Sequence, residues 1–338
     1  MHVAARRAPQ ASTLRSFRAA PLVLCAAGAR DYSSSTGDGA ARHITSAIKA
    51  CETGEGVLKL VATSLPDFNA INVSAALSKL AKLQPVGRWK SDERTHRLVA
   101  RAGELLGEME GQALANSLWA CAKMGIITLD WLPHWLHRST NFLARMKPQE
   151  LSNSVCALGQ LRKAPSDAWM DTFYSASLRL LKLRVLAGQL TSQDLSNVLF
   201  SMALLEEKPS AEWMDAYWIA SGNNIYTFNP QELSNTLWAS AKLGICPPPV
   251  WQAQFWSASL RNLQAQLGAG VFKPQHLANV LYALARLEKR PIAEWMDAYW
   301  TAAGGDLMAV CLPQELSNTI WASAKLGICP PPVWLAKF

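Results

Sequence analysis

Blocks of apolar and small residues recur at helical spacing along most of the chain. Two blocks are almost identical: PQELSNTLWASAKLGICPPPVW spans residues 230–251 and returns at residues 313–334 with Ile320 in place of Leu237. Looser copies begin at Val73, Leu114, Leu151, Leu195 and Leu277. We number each copy from its asparagine, position 0, at residues 116, 153, 197, 235, 279 and 318, with Ala75 in the first copy. Seven copies spaced 37 to 44 residues apart predict a helical solenoid.

Each copy carries signals that start a helix. Asn229, Pro230 and Glu232 supply an N-cap, a first-turn proline and the acid of a capping box. The same signals recur in Thr191 with Asp194 and in Pro148, Pro274 and Pro313. These starts predict one helix at the beginning of each unit.

Glycines and prolines end that helix. Gly125, Gly244 and Gly327 follow the apolar block, and the three prolines at 247–249 prevent continuation, so a second helix is predicted from about Val250. The unit is therefore a helix pair, and the chain is predicted to be an all-α, right-handed α-solenoid with about 38–44 residues per repeat.

Aromatic residues recur on the predicted second helices at spacings that share one face. The recurring sets are Trp169, Phe173 and Tyr174; Trp213, Tyr217 and Trp218; Trp251, Phe255 and Trp256; and Trp295, Tyr299 and Trp300. We predict that these rings fill the joints between stacked units.

Composition gives no sign of a membrane or disulfide protein. Of the 338 residues 50% are apolar, but no apolar run reaches eighteen residues, so no membrane insertion is expected. The seven cysteines lack a CxxC pair, which indicates neither a disulfide framework nor a zinc site and fits a reducing compartment.

The N-terminus has the composition of an organelle transit peptide, assigned to residues 1–32. Residues 1–30 contain five arginines and no acid, so only +3 of the formal net charge of +8 remains for residues 31–338. Arg30 resembles the arginine of a mitochondrial processing site, although chloroplast leaders have similar composition. A soluble protein of the mitochondrial matrix or chloroplast stroma is therefore expected.

The rest divides into a linker and a solenoid. Residues 33–66 are predicted to hold a linker, with 33–42 flexible, and an N-terminal cap or eroded unit. Residues 67–338 form the predicted solenoid, whose last repeat is incomplete. Phe338 aligns with Phe255 only one turn into a second helix, so a fragment or a lost C-terminal domain is expected.

A basic row stands seven residues after the asparagine. It consists of Lys82, Lys123, Lys242, Arg286 and Lys325, interrupted by Gln160 and Leu204. Seven residues return a helical side chain to within about 20° of its starting direction. Stacked units would then present a basic stripe to the phosphates of a single strand. The alternative is a solvated face whose lysines favour the helix C-terminus.

Asparagine itself recurs without variation, as Asn116, Asn153, Asn197, Asn235, Asn279 and Asn318. An invariant residue cannot select bases, so we predict a buried hydrogen-bond ladder between units. Base choice would then lie at +1 and +5, where copies differ: Ser117, Cys121, Ser154, Thr236, Ser240, Thr319 and Ser323, with apolar residues in the other pairs. Packing explains these pairs equally well.

Catalytic signals are weak. His134 and His137 lie near Asp130, but no third strong metal ligand follows, and no phosphate-binding loop or GxSxG is present. Glu150, Glu232 and Glu315 are explained by helix starts. No enzyme activity, cofactor, metal site or small-molecule substrate is predicted.

The frame LSNxLWAxAKLG with a following PPPxW resembles the octotricopeptide repeat (OPR) proteins of green algae, over residues 67–338. These are similar in pattern to FAST-kinase-like organellar proteins, some of which carry a C-terminal RAP domain. The resemblance implies sequence-specific binding of single-stranded organelle RNA that governs transcript stability, processing or translation, within a ribonucleoprotein complex. The long gaps of 41 and 44 residues and the missing first asparagine depart from that pattern. The alternative is a protein-interaction scaffold of the same architecture.

Overall fold

The structure is a computed structural model that describes residues 39–83, 86–126, 130–184, 190–265, 272–304 and 310–336. The predicted transit peptide, residues 1–32, lies outside the described residues. The helices are α1 (Gly39–Ala50), α2 (Gly54–Ser64), α3 (Ala70–Lys82), α4 (Glu93–Glu104), α5 (Gly111–Lys123), α6 (Leu132–Leu143), α7 (Pro148–Leu161), α8 (Asp167–Arg184), α9 (Ser192–Leu205), α10 (Ala211–Asn224), α11 (Pro230–Leu243), α12 (Pro249–Ala265), α13 (Pro274–Arg286), α14 (Ala293–Ala303), α15 (Pro313–Leu326) and α16 (Pro332–Leu335).

The helices stack in two rows. The odd-numbered helices α1 to α15, the first row, each pack against the next odd-numbered helix. The even-numbered helices, the second row, pack in the same sequential way from α6 to α14. The all-α solenoid of helix pairs is therefore confirmed. Within the described residues, none of the helices is long and apolar enough to cross a bilayer.

Helix pairing begins earlier than the sequence suggests. Helix α1 starts at Gly39, inside the segment 33–42 that we expected to be a flexible linker, and it packs against α3. The Asn72 side-chain amide donates to the carbonyl oxygen of Ala41 at 2.9 Å and to the Thr45 hydroxyl at 2.8 Å. These bonds hold the first turn of α1 in place, so the linker prediction was wrong for residues 39–42.

The predicted start and stop signals of the first-row helices are confirmed. The backbone N–H of Glu232 donates to Asn229 Oδ1 at 3.0 Å, and that of Asn229 donates to Glu232 Oε2 at 2.9 Å. Thr191 caps α9 through the N–H of Asp194. Gly244 ends α11 with a φ of 65°, a left-handed conformation that suits glycine. Helix α12 then starts one residue before Val250.

Tryptophans of the second-row helices join neighbouring units, as predicted. Trp135, Trp169, Trp213, Trp251 and Trp295 are each at most 1% exposed. Four indole N–H groups donate across the joint to a serine of the preceding unit at 2.9–3.0 Å: Trp169 to Ser139, Trp213 to Ser177, Trp251 to Ser221 and Trp295 to Ser259. The Trp135 indole instead donates at 2.9 Å to the Leu114 carbonyl on the first helix of its own unit. Ring contacts run from Trp135 to Trp334 without a break. Aromatic packing therefore binds one unit to the next.

Gly159 marks a close approach of two first-row helices. A β-carbon there would lie 3.2 Å from Cα and Cβ of Ser201 on α9. We expect Gly159→Leu to lower the free energy of unfolding by about 2 kcal/mol, because the α9 backbone cannot move aside. Urea unfolding measures the loss. Gly56→Ala is the control, since its β-carbon has ordinary contacts of 3.5 Å or more; an equal effect of both changes would contradict the prediction.

Candidate nucleic-acid interface

Four positions of each first-row helix, −4, 0, +3 and +7, lie three or four residues apart and therefore share one side of the helix. We call this surface the first-helix face. In α11, Gln231 at −4 and Lys242 at +7 are the residues that are not buried. Adjacent first-row helices cover the flanks of each helix. A ligand that follows the first row would therefore meet positions −4 and +7 of such a helix.

The structure places the predicted basic row on this face. Lys82, Lys242, Arg286 and Lys325 are exposed, and Lys123 is partly buried. The Lys82 side chain reaches solvent but is partly desolvated by its neighbours, and this desolvation, followed by the positive charges of Lys123 and Lys79, lowers its pKa. Lys82 and Lys123 come from adjacent helices, so amines of successive units lie close enough to repel one another. Their side chains share one open surface, as helix spacing predicts.

An aromatic row that the sequence analysis did not single out lies at +3, between the asparagines and the basic residues. Its members are Trp119, Phe200, Trp238, Tyr282 and Trp321. Ring centroids are 5.1 Å apart both for Phe200 with Trp238 and for Tyr282 with Trp321. Lys123 Nζ lies 5.2 Å from the Trp119 ring, and Lys242 Nζ lies 5.8 Å from the Trp238 ring. Cation–π contacts therefore hold two amines of the basic row over the face.

Two lysines of the basic row form ion pairs with the preceding unit. Lys242 Nζ lies 3.4 Å from Glu206 Oε1, and Lys325 Nζ lies 3.5 Å from Glu288 Oε1. Both glutamates are largely solvent-exposed, at 78% and 79% of the side chain. Water and salt weaken such pairs, so both lysines are available to a stronger anion.

A glutamine row at −4 was also missed by sequence reasoning. It comprises Gln112, Gln149, Gln193, Gln231, Gln275 and Gln314, all partly buried. The signal was present, since glutamine stands four residues before the asparagine in six of the seven copies. The row adds donor and acceptor groups beside the asparagines.

The asparagine row is buried at its centre, but two of its side-chain oxygens do not take part in the predicted ladder. Asn153, Asn197, Asn235 and Asn279 are buried, whereas Asn116 and Asn318 are partly exposed. The side-chain oxygens of Asn153 and Asn235 are buried without a hydrogen-bond partner. Serines at −1 bond to a neighbouring unit: Ser74 donates to the Ala113 carbonyl at 3.4 Å, and Ser196 to the Glu232 carbonyl at 3.1 Å.

The prediction of base-reading residues at +1 and +5 was wrong. All seven polar candidates are buried, at 5% exposure or less: Ser117, Cys121, Ser154, Thr236, Ser240, Thr319 and Ser323. Several hydroxyls are already bonded to their own helix, as Ser240 is to the Thr236 carbonyl at 2.8 Å and Ser323 to the Thr319 carbonyl at 2.8 Å. These positions point about 100° and 140° away from the asparagine, into the packed interior.

The histidine pair is not assembled into a metal centre by its neighbours. His134 and His137 are both exposed on α6. No group of three potential metal ligands occurs among the residues that the structure describes. Glu212, Asp215, Glu294 and Asp297 are exposed on second-row helices.

The central part of the solenoid matches a protein-family model. Residues 177–308 match the family model of the Tbc2 translation factor, N-terminal domain. The matched segment is less than half of the chain and holds α9 to α14, with Lys242 and Arg286 of the basic row. A comparison with curated proteins finds no match. The similarity is thus to one helical domain of a translation factor family.

Proposed function

We propose that the chain binds single-stranded RNA along the first-helix face and so controls the stability, processing or translation of an organelle transcript. The observation that carries the proposal is the row of amines on adjacent helices, which lies on one open face. Like charges repel in the free protein: desolvation lowers the pKa of Lys82, and the charge of Lys123 lowers it further. A row of phosphates relieves that repulsion and releases counterions.

The face offers a place for each part of a nucleotide. Partly exposed Gln amides at −4 lie on the same face as the amines at +7, whereas the central asparagines are buried and out of reach of a strand. These glutamines recur in six units and hold any base rather than select one. Gln160 and Leu204 replace the basic residue in two units, which gives those units a different contact surface.

Two further observations support an organelle role in translation. The family that matches residues 177–308 is described as a translation factor, and the octotricopeptide resemblance points to organelle transcripts. The arginine-rich N-terminus supports import into a mitochondrion or chloroplast. The proposal contains no catalytic step and no cofactor.

Charge reversal of Lys242 and Lys325 tests the proposal. We expect the double variant Lys242→Glu with Lys325→Glu to bind a fluorescent single-stranded RNA of random sequence about 50-fold more weakly near 50 mM salt. The slope of log affinity against log salt should become shallower by roughly 1.4, because two phosphate contacts are lost. Fluorescence anisotropy over a salt series measures both quantities.

The control variant reverses two charges on second-row helices. Lys182→Glu with Arg261→Glu changes the net charge equally at two exposed positions away from the first-helix face. RNA affinity should fall much less in this control. Equal losses in both variants would contradict binding along the face. If the unaltered protein binds no RNA even at low salt, the alternative of a protein-interaction scaffold replaces this proposal.

A further inference from the structure

The residue that ends each first-row helix, at position +9, varies in charge between units. Gly125, Gly244 and Gly327 occupy it in three units, whereas Arg162, Glu206 and Glu288 occupy it in three others. All six have a positive φ, which is 51° at Arg162, 62° at Glu206 and 56° at Glu288. Glycine adopts this backbone without steric cost, but residues with a side chain do not. The three charged residues are thus held in an unfavourable conformation.

In two units the residue at +9 is an acid that faces a lysine of the next unit. Glu206 precedes Lys242 and Glu288 precedes Lys325, and both form ion pairs across the joint, at 3.4 Å and 3.5 Å. Where +9 is glycine or arginine, the next +7 residue is not a lysine: Gly125 precedes Gln160, Arg162 precedes Leu204 and Gly244 precedes Arg286. Both glutamates therefore sit beside a lysine of the basic row.

We propose that Glu206 and Glu288 set the affinity of the first-helix face by competing with RNA phosphates for Lys242 and Lys325. This inference rests on the proposed function. Each glutamate neutralises its lysine in the free protein, but the exposed pair is weak enough for a phosphate to displace the carboxylate. These two lysines then contribute little to random encounters with polyanions. They engage a strand once other units already hold it.

Removing the two carboxylates tests the competition. We expect Glu206→Gln with Glu288→Gln to bind the same random single-stranded RNA roughly three- to tenfold more tightly at low salt, since exposed pairs of this kind are individually weak. The slope of log affinity against log salt should change by much less than the roughly 1.4 lost on charge reversal, because both lysines contact phosphates in the bound state of either protein. Fluorescence anisotropy reads out both values.

The charge-matched control is Asp215→Asn with Glu294→Gln. It removes the same two negative charges from exposed positions on the second-row helices α10 and α14. Its RNA affinity should rise clearly less than that of the Glu206 and Glu288 double variant. Arg162→Gln should act in the opposite direction and weaken binding about twofold, because it removes a positive charge from the same position of another unit.

The outcomes separate this inference from the proposed function. If the protein binds RNA but the two double variants gain equally, or neither gains, the competition is overturned and RNA binding stands. If no variant binds RNA, the proposed function fails, and elution from a heparin column still decides this inference. There the Glu206 and Glu288 double variant must elute at higher salt than its charge-matched control; equal elution overturns the competition.

Discussion

Trp251→Ala should lower the free energy of unfolding by about 3 to 5 kcal/mol, the range for removing a large buried aromatic side chain. Trp251 is 1% exposed and lies in the joint between two units. Its ring centroid is 5.0 Å from that of Trp218 and 5.6 Å from that of Phe255. Its indole N–H also donates to Ser221 at 3.0 Å, so truncation leaves a cavity and removes the donor to the Ser221 oxygen.

Trp321→Ala is the matched control for that loss. Trp321 also lies in the solenoid and contacts Tyr282, but 42% of it is exposed. Its truncation should cost less than half as much, because less apolar surface leaves the interior. Denaturant unfolding followed by circular dichroism measures both variants. Equal losses would show that the second-row tryptophans do not carry the joints.

Acidification should destabilise the solenoid through His276 by up to about 3 kcal/mol. Burial, and then the nearby charge of Lys273, lowers the pKa of His276 to about 4 from an ordinary value of 6.5. Because the folded-state pKa is the lower one, this contribution is fully present above pH 6.5 and disappears as the pH falls towards 4. The backbone N–H of Lys273 donates to His276 Nδ1 at 3.3 Å, a bond that protonation of Nδ1 breaks.

His276→Gln isolates this effect, because a glutamine amide can accept the same N-cap bond at every pH. The difference in unfolding free energy between the two proteins should grow between pH 7 and pH 4.5. Comparing the two cancels the opposite contribution of Glu150 and Glu232, whose pKa values burial raises. His137→Gln, at an exposed position, should leave the curve unchanged. A constant difference for His276→Gln would contradict the prediction.

Local signals were enough to predict the helix pairs. Proline at the first turn, an acid two residues later and glycine at the end each act through the backbone of their own helix. Their effect can therefore be predicted without knowing which helices pack nearby. The recurring tryptophans were also predictable, because large rings at one helical spacing need a covered surface. His276 shows the limit, since its place in the capping position at α13 was readable but its burial was not.

Which side of each first-row helix is exposed was harder to predict from the sequence. Position +7 was placed beside the asparagines by helix geometry alone, and its amines do lie on an open face. Positions +1 and +5 also vary between copies, but variation in Ser240 and Cys121 reflects packing against neighbouring helices. The sequence of one unit does not show which sides of its first helix are covered by the adjacent first-row helices. The glutamines at −4 were not predicted to lie on this face, although they recur in six of the seven copies.

The joints between second-row helices also bear on how such a chain lengthens. Trp213, Trp251 and Trp295 each reach a serine of the preceding unit in the same way, so successive units meet through interchangeable contacts. A two-unit segment inserted by gene duplication would find a compatible partner on either side without new mutations. The near-identical blocks at 230–251 and 313–334, two units apart, have the form that such an insertion leaves.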